Sequence, residues 1–300
     1  MKRLLILTLS LLGLAAPAAQ AALNVLTCEP EWAALTQELA GDLAQVSSAT
    51  TALQDPHHIE ARPALLAKAR NADLLVCTGA ELEIGWLPLL QREAGNGRIQ
   101  PGQPGYLDGA RFARILERPS SLDRALGDVH AAGNPHVQLD PHNIARVADG
   151  LARRLADLDP TNAARYGQRN ADFQTRWTAA MARWEQQGAR LKGMPVVVHH
   201  RNWSYLADWL GLTVIGELEP KPGMEPTASH LAELLETLKA TPARMVLHAA
   251  YESPKASEWL AGRASIPAVE LPYTVGGSPG AKDLFGLFDD TLNRLLQAAP

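Results

Sequence analysis

The chain has 300 residues, a formal net charge of −4, 46% hydrophobic residues and 20% charged ones. That is ordinary globular composition, with enough apolar material for one large core or two smaller ones and no need of a structural metal to hold them. The mild acidity and the lack of basic runs or RNA-type aromatic motifs give no reason to expect nucleic acid.

Residues 1–21, MKRLLILTLSLLGLAAPAAQA, join a basic start, an apolar stretch and an Ala-Gln-Ala end. They read as a secretory signal cut near Ala21. The apolar run is short for a membrane span, and nothing later is a candidate for one. NVLT before Cys28 is a poor lipoprotein box, so a soluble exported protein is predicted.

Beyond the signal the pattern alternates. LNVLTC is strand-like, PEWAALTQELAG an amphipathic helix ending at Gly41, AQVSSATT a strand, RPALLAKARN a helix and ADLLVCTG a strand. This order predicts βαβ units on a parallel sheet. Residues 95–108 are rich in Gly and Pro and read as a surface loop, and ARFARILE resumes a helical pattern. Asp140-Pro141 and Asp159-Pro160 look like helix starts, with Asp capping and Pro in the first turn. The second start opens a helical stretch of about thirty residues, long enough to be a rigid connector. After Gly193 the alternation returns: MPVVVHH, WSYLADWLG, TVIGELE, HLAELLETLKA, ARMVLHA, PKASEWLAGRA, PAVELPY and a last helix, AKDLFGLFDDTLNRLL. The predicted fold class is α/β, two Rossmann-like lobes joined by a long helix. The predicted boundaries are signal 1–21, first lobe 22–158, connecting helix 159–193 and second lobe 194–300. Carboxyl ends of parallel strands should face a shared cleft, where such sheets bind ligands.

Cys28 and Cys77 are the two cysteines, each at the end of an apolar run. If those runs are neighbouring parallel strands in an oxidising compartment, the pair is a plausible disulfide; the alternative is two buried free thiols. Nine histidines remain to be sorted. Neutral imidazole is a common ligand of zinc-like ions, and a site built from distant segments usually takes one ligand from each. In VVVHH successive residues point to opposite faces of the strand, so His199 and His200 cannot both face one site. His200 sits at the strand end, where the cleft should be. In DPHH the backbone reads as a loop, so His57 and His58 both stay open. Pro56 and Pro135 stiffen the chain before His57 and His136, and Asp55 is placed to accept the far N–H of a ligating ring. His130, His142 and His230 read as bystanders, and His248, ending ARMVLH, is undecided. There is no HExxH, CxxC, GxSxG or phosphate loop.

Taken together these segments resemble the solute-binding proteins of zinc and manganese ABC transporters, over nearly the whole mature chain. DPHHIE is similar to that family's Asp-Pro-His-x-Tyr/Ile-Glu, which selects His57 over His58. NPHVQLDP is similar to its (N/D)PHxWLDP and selects His136, and DPTNAARYGQRNADF resembles the start of its connecting helix. The third ligand of the family ends a second-lobe strand, as in HRNWSY, which selects His200. The resemblance implies a periplasmic protein that holds metal in the interlobe cleft, His57, His136 and His200 being the ligands. It also implies a stiff connector and delivery to an ABC permease of the inner membrane. A monomer is predicted. Many relatives add an Asp in a Thr-Asp step; here YTVGG puts Val275 at that position. Water, Glu60, Glu217, Glu219 or His248 are the candidates for the fourth place. The His-rich acidic loop of many zinc members is absent from this sequence.

Three imidazoles with at most one oxygen suit Zn²⁺, whereas carboxylate-rich sites suit Mn²⁺, so transported zinc is the predicted ligand. The rivals are a zinc-dependent periplasmic hydrolase with Glu60 or Glu219 as base, a Mn²⁺ or Fe²⁺ member of the same family, and a zinc chaperone acting without a permease. The absence of a hydrolase motif argues for a binding protein rather than an enzyme.

Overall fold

The computed structural model describes residues 22–119, 127 and 130–299, so the signal expected at 1–21 lies outside the described residues. Two all-parallel four-stranded sheets carry the fold. The first, ordered β2-β1-β3-β4, comprises β1 (Leu23–Thr27), β2 (Ala44–Ser48), β3 (Leu74–Cys77) and β4 (Tyr106–Asp108). The second repeats that order as β6-β5-β7-β8, from β5 (Pro195–Val198), β6 (Thr213–Glu217), β7 (Met245–Ala249) and β8 (Ala268–Leu271). The α/β reading therefore holds in both lobes. Central strand β3 is apolar throughout, as burial on both faces requires: Leu74, Leu75, Val76 and Cys77 are all fully buried.

Helices α1 (Pro30–Ala40), α2 (Pro63–Asn71) and α3 (Leu87–Ala94) flank the first sheet. The sequence reading did not anticipate α3, although Pro88 in its first turn and left-handed Gly95 at its end are ordinary boundary signals. It also missed β4, whose three residues are too few to show a period and lie inside the expected loop. The expected helix at ARFARILE does not form beyond a single turn, Gly109–Arg111. From there the chain is tied by other parts of the molecule. The Arg114 amide donates to Asn143 Oδ1 at 2.9 Å and the Leu116 amide to Tyr205 Oη at 3.0 Å, while Leu116 O accepts from the Asn134 amide at 2.9 Å. Partners distant in sequence override the local helical pattern.

Helix α4 (Pro141–Leu158) starts as predicted, the Asp140 carboxylate accepting from the His142 amide at 2.9 Å. Asp159 does not cap in that way; it accepts from Tyr166 Oη at 2.9 Å and Asn162 Nδ2 at 2.7 Å. Helix α5 (Ala163–Gly188) runs 26 residues and packs on α1 and α4 at one end of its course and on α9 (Leu284–Ala298) at the other. Its buried stripe, Tyr166, Phe173, Trp177, Ala180 and Trp184, recurs at steps of seven, four, three and four residues. Trp177 lies 4.9 Å from Phe285 and 5.5 Å from Phe288, centroid to centroid. One apolar cluster therefore joins residues of both sheets through α5. Helices α6 (Ser204–Leu210), α7 (Ala228–Ala240) and α8 (Lys255–Ala264) complete the second lobe. No helix among the described residues is long and apolar enough to cross a membrane.

Cys28 and Cys77 are disulfide-bonded and fully buried, with Cα atoms 4.7 Å apart. Parallel pairing sets Thr27 against Val76, so both cysteines sit one residue past neighbouring strand positions. Nearby, Glu29 and Glu83 are buried carboxyls sharing Thr78 as a partner. Desolvation and their mutual repulsion push Glu29 well above the carboxylate range, and burial lifts Glu83 to about 8. Burial also raises Glu31 to about 7, and its carboxyl accepts from Thr274 of the second lobe at 2.5 Å.

Candidate metal centre

Three imidazoles meet in the cleft. His57 comes from the loop after β2, His136 from the turn ahead of α4, and His200 from the end of β5. The candidate ligand nitrogens of the three all lie within 4.8 Å of one another. Ring centroids are 5.3 Å apart for His57 and His136, 5.7 Å for His57 and His200, and 5.4 Å for His136 and His200. The rings stand edge to face, an arrangement that turns their nitrogens toward a common centre.

Each ring is fixed through the same nitrogen. His57 Nδ1 is 2.7 Å from Asp55 Oδ1, which also accepts from the His57 amide at 2.9 Å. His200 Nδ1 is 2.7 Å from Glu219 Oε2, and His136 Nδ1 is 2.7 Å from Tyr273 Oη. An ionised carboxylate only accepts, so Nδ1 carries the proton in His57 and His200 and leaves Nε2 with its lone pair. The phenol of Tyr273 accommodates the same tautomer of His136. His57 Nε2 is buried and has no hydrogen-bond partner, the state of a nitrogen reserved for a ligand.

The fold explains these pairings. Parallel register aligns Val198 with Glu217, so two residues further on Glu219 comes alongside His200. The His57 loop is held by Trp86 Nε1 donating to Pro56 O at 2.8 Å. Gly85 passes so close that an added Cβ would sit 3.0 Å from the His57 carbonyl oxygen. Asn134 ties the other two ligand turns together: its Oδ1 accepts from the His136 amide at 3.0 Å and its Nδ2 donates to Arg201 O at 2.9 Å.

Electrostatics divide the three rings. Burial pushes His136 far below the usual histidine range, and the neighbouring His57, His200 and His130 push it further. Burial also works against a charged His200, but the hydrogen bond and charge of Glu219 outweigh it and raise the ring above its ordinary value. Asp55 is desolvated, yet its bond to His57 wins and holds it below the usual carboxylate range. A dication among three neutral rings would thus be balanced by two carboxylates, Asp55 and Glu219, one atom shell further out.

The other sequence candidates lie outside this group. Glu60 is exposed and paired with Arg62 at 3.1 Å. Glu217 binds the Arg201 guanidinium at 2.9 Å and 3.0 Å. Glu219 is engaged with His200 Nδ1 and with the Gly223 amide at 2.9 Å. His248 is buried on β7, its Nδ1 without a partner, and is not one of the convergent three. Val275 brings no donor, and the same segment contributes Tyr273 instead. His58 is exposed, its ring 6.3 Å from that of His57. His142 and His230 bond Asp140 and the Glu217 carbonyl, as bystanders would. His130 differs from its reading as a bystander: it stacks on His57 at 5.5 Å with planes 24° apart and lines a cavity of about 330 Å³ that reaches His136 and His200. No spacing rule tied His130 to the site, because its neighbour is more than seventy positions away in the sequence.

The two-lobed α/β fold with a histidine cluster in its cleft is of the kind seen in metal-binding solute-binding proteins. The chain belongs to the family described as zinc-uptake complex component A, periplasmic, whose profile matches residues 25–298. It is 25% identical over 221 residues to the zinc-binding lipoprotein AdcA of Streptococcus pneumoniae strain TIGR4, covering 72% of this chain but 43% of that one. It is 26% identical to the high-affinity zinc uptake system protein ZnuA of Paracoccus denitrificans, over 98% of this chain and 96% of the relative. A crystal structure of ZnuA superposes with a TM-score of 0.78 at 25% identity, covering 93% of this chain and all of that one.

Proposed function

We propose that this protein captures Zn²⁺ through Nε2 of His57, His136 and His200 and delivers it to an ABC-type permease of the inner membrane for high-affinity uptake. The observation that carries the reading is the common use of Nδ1: all three rings spend that nitrogen on Asp55, Tyr273 or Glu219, and so present Nε2 inward. Support comes from the zinc-uptake names of relatives that match nearly the full chain. The mature protein is periplasmic, freed of its signal near Ala21, and acts as a monomer of two lobes, 22–158 and 194–300, about a connector at 159–193.

Zinc fits the donor set better than manganese does, because imidazoles outnumber oxygens and four-coordination leaves one place for water. Charge balance from Asp55 and Glu219 removes the need for a carboxylate where Val275 stands. The likeness is to transport proteins, and the two carboxylates bonded to the trio, Asp55 and Glu219, are spent on His57 and His200. A binding role rather than hydrolysis follows. The test is zinc titration of the metal-free protein beside His57→Ala, His136→Ala and His200→Ala. The reading predicts one tight equivalent in the wild type, lost in each variant; wild-type affinity in all three would overturn it.

A further inference from the structure

His199 precedes His200, just past the end of β5 at Val198. Its side chain is 7% exposed, and its Nδ1 has no hydrogen-bond partner. That nitrogen lies 3.9 Å from Glu252 Oε2, on a side chain also 7% exposed. The gap is too long for a hydrogen bond. It is close to the separation of about 3.4 Å between two ligands of a tetrahedral ion with bonds near 2.0–2.1 Å. Both residues line a cavity of about 270 Å³ that also reaches His57 and His200 and carries His58, Glu219 and Glu225. Glu252 Oε2 accepts from the Ala249 amide at 2.6 Å and Oε1 from Asn202 Nδ2 at 3.2 Å, which fixes the carboxyl in place.

We infer that this cavity holds a second, weaker site for a divalent transition-metal ion, ligated by His199 Nδ1 and an oxygen of Glu252 with water completing the shell. The pair is positioned before any ion arrives: the His199 amide donates to Leu247 O at 2.8 Å, and the His199 carbonyl accepts from the Glu219 amide at 3.2 Å. Two protein ligands against three set its affinity far below that of the triad. Its place as a staging point on the approach to His57 and His200 rests on the function proposed above; the binding itself does not.

The experiment is calorimetric titration of chelator-stripped protein with zinc chloride at pH 7.5, using wild type, His199→Gln and His57→Ala. The wild type gives a tight event and a second event at least about a hundredfold weaker. His199→Gln keeps the tight event and loses the second by tenfold or more, while His57→Ala loses the tight event and keeps the weak one. Zinc-soaked wild-type crystals place an anomalous peak beside His199 Nδ1, a readout that needs no variant to fold. A single event in the wild type with no such peak, or a weak event unchanged in His199→Gln, overturns the inference. A tight event surviving His57→Ala contradicts the triad instead, and the two failures are told apart.

Discussion

The first sheet, β2-β1-β3-β4, and the second, β6-β5-β7-β8, have the same all-parallel order, yet they hold their candidate ligand histidines by different means. The second lobe offers His200 directly from a strand end, with Glu219 brought beside it by the neighbouring strand. The first lobe offers His57 and His136 from irregular backbone, and ties them with a buried tryptophan contact and two Asx-type bonds. A strand end is stiff by virtue of its ladder; a loop ligand has to be tied. The two kinds of support meet in α5, whose aromatic stripe joins the lobes into one core.

The comparison can be broken at its ligands first. Removing any one of His57, His136 or His200 is predicted to weaken zinc binding by about a thousandfold or more, some 4 kcal/mol, by competition with a calibrated chelator. A large loss at His200 alone would mean that the loop ligands contribute little. Next comes the shared core. Trp177→Ala is predicted to cost about 3–5 kcal/mol in urea unfolding, since the ring is fully buried against Phe173, Phe285 and Phe288. Loss of two-state behaviour there would show lobes that unfold separately.

The staple of the first lobe should follow. Replacing Cys28 and Cys77 by Ser opens a crosslink across a sequence separation of 49. Chain entropy puts the cost at about 4 kcal/mol, with strain and residual structure reducing it toward about 2. Amide exchange should rise at β1 and β3 and leave β5 and β7 unchanged.

Smaller effects sharpen the picture. Asp55→Asn and Glu219→Gln are each predicted to lower zinc affinity by about 10–100-fold without loss of stoichiometry. Glu219 also sets the pH response. It raises His200 above its ordinary value, so the ring holds a proton more readily and the ion competes with that proton. Zinc affinity should therefore fall as pH drops through the raised His200 range, and Glu219→Gln should move that fall to lower pH. A last effect is on the metal-free fold. Glu83 and Glu31 titrate near 8 and 7 in the folded chain, above the carboxylate value of the unfolded one. At these two sites the folded state then holds more protons, and their contribution to stability is full at pH below about 4.5 and declines as pH rises to about 8. The limiting slope is about 1.4 kcal/mol per pH unit per proton. Urea midpoints at pH 5 and 8 check this, and Glu83→Gln should flatten the trend.

How much of this was legible beforehand depended on the range of the determining interaction. Strand period kept His199 and His200 from sharing a site, position at the strand end and the family motif then selected His200, and Asp55 was paired with His57 because two residues separate them; all are local facts. Glu219 and Tyr273 reach their rings through β5–β6 pairing and through a segment 137 residues from His136, which no period reveals. The helix expected at ARFARILE failed for the same reason, since Asn143 and Tyr205 claim its amides. His57 and His136 sit on loops, where only the motif singled them out. The shared Nδ1 anchoring is the feature of the site that the sequence least disclosed, and it fixes which nitrogen faces the cleft.

A crystal structure of the protein grown with zinc tests that anchoring most directly. The account predicts one ion at about 2.0–2.1 Å from Nε2 of His57, His136 and His200, with Nδ1 of each ring still on Asp55, Tyr273 and Glu219. An ion bound through Nδ1, or one that leaves any of the three rings out of its shell, would contradict it.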